Sequence, residues 1–207
     1  MRIIVFGSTG SIGSVLVKQA LDRGHDVTAF TRNPEKVSTR HQNFAILHGD
    51  VQNAKAVEAA VYDKDAVFVT LGDGRKGNVR FAGTANVVRA MEHSGVRRLI
   101  CQTTLGVGES VGNLNFFWRY VMFGWFLKEA FEDHVQQERV VIESRLDWTI
   151  VRPAAFTDGP LTGRYRHGFS CLDKKLTLKV SRMDVAHFLL DQLDTDAYLR
   201  KTPGLSY

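Results

Sequence analysis

Arg2-Ile3-Ile4-Val5-Phe6-Gly7-Ser8-Thr9-Gly10-Ser11-Ile12-Gly13 starts as an apolar run and closes on three spaced glycines. A helical pattern follows over about Ile12 to Arg23, and Gly24 reads as its C-terminal stop. A second apolar run, Val27-Thr28-Ala29-Phe30, then ends in Thr31-Arg32. Strand, glycine turn, helix and strand in that order form the phosphate-binding half of a dinucleotide fold. Each glycine has a separate task. Gly7 lets the chain turn as the strand ends, Gly10 removes a Cβ where backbone must approach a pyrophosphate, and Gly13 lets the helix pack close to the strand. The helix N-terminus then presents its N–H groups and positive dipole end to the phosphates.

Alternation continues beyond this unit. Phe44 to Asp50, Ala66 to Gly72, Leu99 to Thr104 and Trp148 to Pro153 read as strands, with helices over about Asn53–Val61 and Asn78–His93 between them. Near-continuous apolar strands separated by helices describe a parallel sheet covered on both faces. The expected fold is therefore α/β, a Rossmann-like doubly wound parallel sheet, one domain over residues 1–207 with a small substrate-side arm. That arm is assigned to Gly163–Val180, after which Ser181 caps a helix over about Met183–Leu193. The segment Asn113–Leu146 departs from the repeat. Phe116, Phe117, Trp118, Tyr120, Met122, Phe123, Trp125, Phe126 and Phe131 crowd together there. It reads either as a helix buried against the sheet, as a lid whose aromatics line a site for a flat substrate, or as an interface. Arg119 and Lys128 interrupt the apolar run before it reaches the length of a membrane span.

A net charge of +5 and a pI near 9.3 come from scattered cations, with no nucleic-acid-binding motif among them. Two cysteines, Cys101 and Cys171, do not make a disulfide framework. With the first strand starting at Arg2, no signal peptide is expected, and the expected compartment is the cytoplasm. No membrane or nucleic-acid partner is expected. Oligomeric state is not readable, with a monomer as the default.

The residue after the second strand selects the cofactor. An acid there would bond a ribose 2′-hydroxyl, whereas Arg32 can clamp a 2′-phosphate, with Lys36 four residues on as reinforcement. Asp50 ends the third strand as an acceptor for an adenine amino group, as a helix N-cap, or as both. At Leu71-Gly72 the missing Cβ lets backbone lie against pyrophosphate or ribose. Thr103 and Thr104 end the fifth strand, where their hydroxyls either hold a nicotinamide amide or substrate, or are simply β-branched strand residues. His134 and Glu138 stand four apart on one helix, as a polar pair aimed at the site or as a solvated face. No metal-ligand spacing occurs. Tyr62, Tyr120, Tyr165 and Tyr198 all lack a lysine four residues later, so the phenol–ammonium proton donor of many short-chain dehydrogenases is missing.

These residues resemble the atypical short-chain dehydrogenase/reductase group with NAD(P)-binding, NmrA-like domains. Within it, the chain is most similar to the biliverdin-IXβ reductase/flavin reductase family. The likeness runs over nearly the whole length, through Gly7-Ser8-Thr9-Gly10-Ser11-Ile12-Gly13, Thr31-Arg32, Gly49-Asp50-Val51, Leu71-Gly72, Thr103-Thr104, Asp133-His134 and Asp158-Gly159-Pro160-Leu161-Thr162-Gly163. It implies NADPH as cofactor, with its 2′-phosphate on Arg32 and Lys36 and its adenine against Asp50 and Val51. Thr9, Ser11 and Ile12 in the turn, and Pro153, Ala155 and Phe156 at the end of the sixth strand, complete the implied cofactor set. Thr104 takes the place of a hydroxyl residue near the nicotinamide, and His134 that of a histidine near the substrate; these are the two catalytic candidates. One departure is Ala155, where the family carries a second histidine.

The expected function is NADPH-dependent hydride transfer to a flavin (FMN, FAD or riboflavin) or a related planar acceptor such as biliverdin. A flavin reduced at N5 is a delocalised anion that water can protonate, so a missing Tyr–Lys pair fits such an acceptor. The alternatives are a non-enzymatic NADP(H)-binding sensor of the NmrA kind and a sugar or carbonyl epimerase.

Overall fold

The computed structural model describes residues 1–207. Its strands are β1 (Arg2–Phe6), β2 (Asp26–Thr31), β3 (Phe44–His48), β4 (Ala66–Val69), β5 (Arg98–Gln102), β6 (Asp147–Pro153), β7 (Ala155–Thr157), β8 (Arg166–His167), β9 (Lys179–Ser181) and β10 (Gly204–Ser206). The α-helices are α1 (Gly13–Asp22), α2 (Ala54–Val61), α3 (Val79–Ser94), α4 (Lys128–Glu143) and α5 (Arg182–Asp191). The main sheet runs β3-β2-β1-β4-β5-β6-β10-β8. Its first seven strands pair in parallel, and only β8 is antiparallel, against β10. The chain leaves β1 in one direction along the sheet and returns at β4 in the other, which opens a crevice at the carboxyl ends of those two strands.

Alternation along each strand divides the core in two. Ile3, Val5, Phe68 and Ile100 meet α1 and α5 on one face, while Ile4, Phe6, Val67, Val69 and Leu99 meet α2, α3 and α4 on the other. Local chemistry sets the helix ends. Gly24 and Gly95 adopt positive φ after α1 and α3. The Ser181 hydroxyl accepts the Asp184 N–H at 3.0 Å, as expected of a cap. Asn53, not Asp50, caps α2, through its Oδ1 and the Ala56 N–H. Asp50 instead closes a tight turn, accepting the Gln52 N–H at 2.9 Å.

Three elements differ from the sequence reading. Gly163–Val180 is a long excursion that contributes β8 to the main sheet and leads into β9, which pairs with β7. β10 inserts beside β6, in the register Gly204 opposite Arg152. The aromatic stretch is a wide, π-type helical segment over Phe117–Phe126 in which no residue is fully buried, and of its aromatics only Trp118 and Phe123 pack against the core. No helix is long and apolar enough to cross a membrane.

Candidate functional site

The turn after β1 is built as its glycines require. Gly7 sits at φ +87°, and its carbonyl accepts the Gly10 N–H at 2.9 Å. A Cβ on Gly13 would run into the Gly7 carbonyl, so the start of α1 lies against the strand end only because that side chain is missing. α1 therefore directs the positive end of its dipole across the crevice, with the Ser14 and Leu16 N–H groups bonded to the Gly10 and Ile12 carbonyls.

One cavity of about 520 Å³ spans the strand ends. Gly7, Thr9, Gly10, Ser11 and Ile12 form one end of its wall, with Arg32 from the end of β2. Val51, Leu71 and Gly72 continue it, then Thr103 and Thr104 after β5, and Pro153, Ala155 and Phe156 from the β6–β7 junction. Trp118 and Phe123 of the π-type segment, with Leu127 just after it, close the far side, and His134 reaches in from α4. Gly13, Lys36 and Asp50 lie off this wall. Lys36 is exposed on a short 3-10 turn, and the Asp50 carboxylate lies 3.9 Å from the Arg32 guanidinium near the rim. The wall also holds Asn33, Gln102, Arg80 and Arg182, none of which the motifs single out.

The wall carries three arginines and no carboxylate, lysine or tyrosine. Arg32 is half-exposed, and its one ion pair is long, so its guanidinium can turn to an incoming anion at little cost. Arg80 is buried and fixed. It donates to the Lys76 and Gly74 carbonyls at 2.9 and 3.0 Å and pairs with Asp133. Asp133 in turn accepts the Arg80 and Phe81 N–H groups at the start of α3, tying α3 to α4.

Behind the wall lies a second ion pair. Glu138 and Arg152, each only 2% exposed, meet through Nε at 3.0 Å and Nη2 at 2.7 Å. Arg152 also donates to Glu109 at 2.7 Å. Burial by itself would lower the Arg152 pKa, but the hydrogen bonds and charge of Glu138, with those of Glu109, raise it above the ordinary value. Thr103 donates its hydroxyl to Glu138 at 2.6 Å. Glu138 is thus neither solvated nor aimed at the cavity, and it shares no hydrogen bond with His134.

His134 is partly exposed, and it faces the cavity. Its Nδ1 lies 2.9 Å from Gln137 Oε1. The Gln137 amide nitrogen donates to Thr84 Oγ1 at 3.1 Å and Cys101 Sγ at 3.3 Å, so its oxygen takes the Nδ1 proton and Nε2 keeps its lone pair. Burial, followed by the nearby Arg80 charge, pushes the imidazole down to about 4, against smaller opposing effects of Gln137 and Asp133. At neutral pH His134 is an uncharged acceptor.

These features fit a dinucleotide. A Cβ at Gly72 would meet nothing within 4 Å, so the wall is open beside the glycine turn, and the donors there are cations and helix N–H groups.

A family model described as NAD(P)H-binding matches residues 7–196. The photosystem II assembly factor Ycf39 of Synechocystis sp. is 25% identical over 219 residues, which take in 98% of this chain and 61% of that protein. The chain thus spans less than two thirds of that relative. Among solved structures, a short-chain dehydrogenase/reductase from Veillonella parvula in complex with NADP superposes with a TM-score of 0.82 at 21% identity, covering 100% of this chain and 94% of the other. ChuY of Escherichia coli O157:H7, described as an anaerobilin reductase, gives a TM-score of 0.82 at 24% identity, covering 99% and 96%. At these identities the structural likeness establishes a shared fold.

Proposed function

The chain belongs to the NAD(P)H-binding family, and on that premise we propose that it is an NADPH-dependent oxidoreductase that reduces flavins or related planar acceptors such as a linear tetrapyrrole. The observation that carries this reading is the single cavity that runs from the glycine turn to an aromatic wall and holds no acidic group at neutral pH. The printed description of ChuY as an anaerobilin reductase is in keeping with it.

The reduced nicotinamide, when bound, supplies a hydride. This chain's own residues do the rest. The turn from Gly7 to Gly13 and the N-terminus of α1 take the pyrophosphate, and Arg32 takes the 2′-phosphate, with Lys36 adding to the local positive potential. Val51 and Asp50 flank the adenine. Thr103 is held by Glu138, and Thr104 offers its hydroxyl beside it. Trp118 and Phe123 give a flat acceptor two ring faces from the far wall. His134 accepts a hydrogen bond at Nε2 and orients the acceptor. No side chain donates an indispensable proton, because hydride reaching N5 of a flavin leaves an anion that water protonates.

Steady NADPH oxidation on addition of FMN, riboflavin or biliverdin tests the proposal. Turnover with one of them is the expected result. Tight NADPH binding without oxidation by any flavin, tetrapyrrole or quinone would favour a cofactor-binding sensor instead.

A further inference from the structure

The π-type segment has a second face, which does no work in the cavity. Residues on a wide helix with i→i+5 bonding return to the same side every four to five positions. Trp118, Phe123 and Leu127 accordingly turn inward. Phe116, Tyr120, Val121 and Trp125 turn outward, with Phe117 and Phe126 beside them. Trp125 is 79% exposed and Phe116 74%, and the other three aromatics are about half exposed. At about 200 Å² per aromatic side chain, that is roughly 600 Å² of exposed aromatic surface. A patch of this size is at the upper limit for a soluble monomer and marks an interaction surface.

The charges that lie over the rings of the patch are cationic. Arg119 lies across the Tyr120 ring at 5.3 Å, and Arg75, from the loop before α3, lies across the Phe126 ring at 4.6 Å. Lys128 stands exposed at the segment's end, in a loose 3.9 Å pair with Glu132, and no acid occurs between Asn113 and Lys128. The first acids beyond this stretch are Glu109 and Glu129, of which Glu109 is turned onto Arg152 and Thr202. Tryptophan, tyrosine and phenylalanine interleaved with arginine and lysine match an interface where rings enter the acyl boundary and cations meet phosphates.

We infer that the outward face of Phe116–Phe126 docks this protein on an anionic lipid surface. The segment lies in the interface plane without spanning the bilayer, and its inward face closes the cavity. The mouth of the site then opens at the lipid boundary, within reach of a planar acceptor dissolved there. The docking itself does not depend on the reductase reading.

Flotation of the full chain with vesicles tests it, using phosphatidylcholine alone and phosphatidylcholine with about one third phosphatidylserine. Binding is expected to the anionic vesicles, weakening as salt rises to about 0.5 M. The double variant Phe116→Ser/Trp125→Ser should lose at least about tenfold in partition while keeping its circular dichroism spectrum and NADPH affinity. Arg119→Glu, which leaves the rings in place, should lower binding to anionic vesicles alone. Absence of flotation with the anionic vesicles, or equal flotation of native and double-variant protein, would overturn the inference. So would a concentration-dependent dimer, seen by light scattering, that the double variant abolishes, because the patch would then be covered by a second copy.

Discussion

His134 discriminates most sharply between orientation and proton donation. Removing its side chain by His134→Ala takes away one hydrogen bond, the 2.9 Å contact to Gln137, and one acceptor facing the cavity. Neutral hydrogen bonds contribute about 0.5–1.5 kcal/mol each, so turnover should fall by roughly tenfold, with a comparable rise in the Michaelis constant for the flavin. A lost general acid costs about 10²–10⁴-fold. Its titration points the same way. With a pKa near 4, only about one molecule in a thousand carries the imidazolium at pH 7. NADPH oxidation with FMN should therefore show no His134 limb between about pH 5 and 8. The sign for stability follows from the same shift. The folded value is depressed below the unfolded 6.5, so the contribution is complete above pH 6.5 and is lost as pH falls toward 4. The full loss is about 3 kcal/mol at most, and His134→Gln should flatten that slope in urea unfolding. A rate limb near pH 6–7 that vanishes in His134→Ala would refute the reasoning. A three-decade fall in turnover with flavin binding intact would refute it too.

Three further outcomes are expected. Arg32→Ala should weaken NADPH binding by roughly tenfold to a hundredfold and leave NADH binding nearly unchanged, as read by titration of both cofactors. Gly10→Val should abolish cofactor binding in a protein that still folds, because its Cβ meets the Gly7 carbonyl at a tolerable 3.2 Å while its methyls fill the phosphate space; normal NADPH binding by the folded variant would show that this turn is not the phosphate site. Glu138→Leu should destabilise the fold by about 3 kcal/mol in denaturant titration, since it leaves the buried Arg152 with only the exposed Glu109 as partner, and adding Arg152→Met should restore most of the loss.

The first half of the fold was legible because its constraints are local. A turn that needs φ +87° and a helix start pressed on a carbonyl write themselves as Gly7 and Gly13. Strands buried on both faces write themselves as apolar runs. β10 could not be read this way. Three residues, Gly204-Leu205-Ser206, carry no periodicity, and their place beside β6 comes from pairing across fifty positions of chain. The π-type segment was opaque for a related reason. Its composition is visible, but a 3.6-residue helix does not separate Trp118 and Phe123 from Phe116 and Trp125, as a wider turn does. Arg80 and Arg182 do not stand out in the sequence because each reaches the cavity from the start of a helix that lies outside the cofactor motifs, although Ser181 marks one of those starts as a cap.

Spacing misjudged one pair. His134 and Glu138, four apart, share a helix face in principle, but the two side chains serve different neighbourhoods. His134 bonds Gln137, while Glu138 takes Thr103 and the Nε–Nη2 edge of the Arg152 guanidinium. That division sorts the adjacent threonines at the end of β5. Thr103 is buried with its proton committed to a carboxylate at 2.6 Å, so its side chain is a fixed part of the frame. Thr104 is partly exposed on the cavity wall and has only a 3.4 Å contact to the Leu105 carbonyl. A hydroxyl in that state can give its proton to a ligand without breaking a strong bond. The ion pair behind the wall thus leaves Thr104 and the acceptor nitrogen of His134 as the adjustable polar groups where the strand end faces the aromatic wall. On the proposed reading both would orient a ligand there, and neither holds an acidic proton at neutral pH.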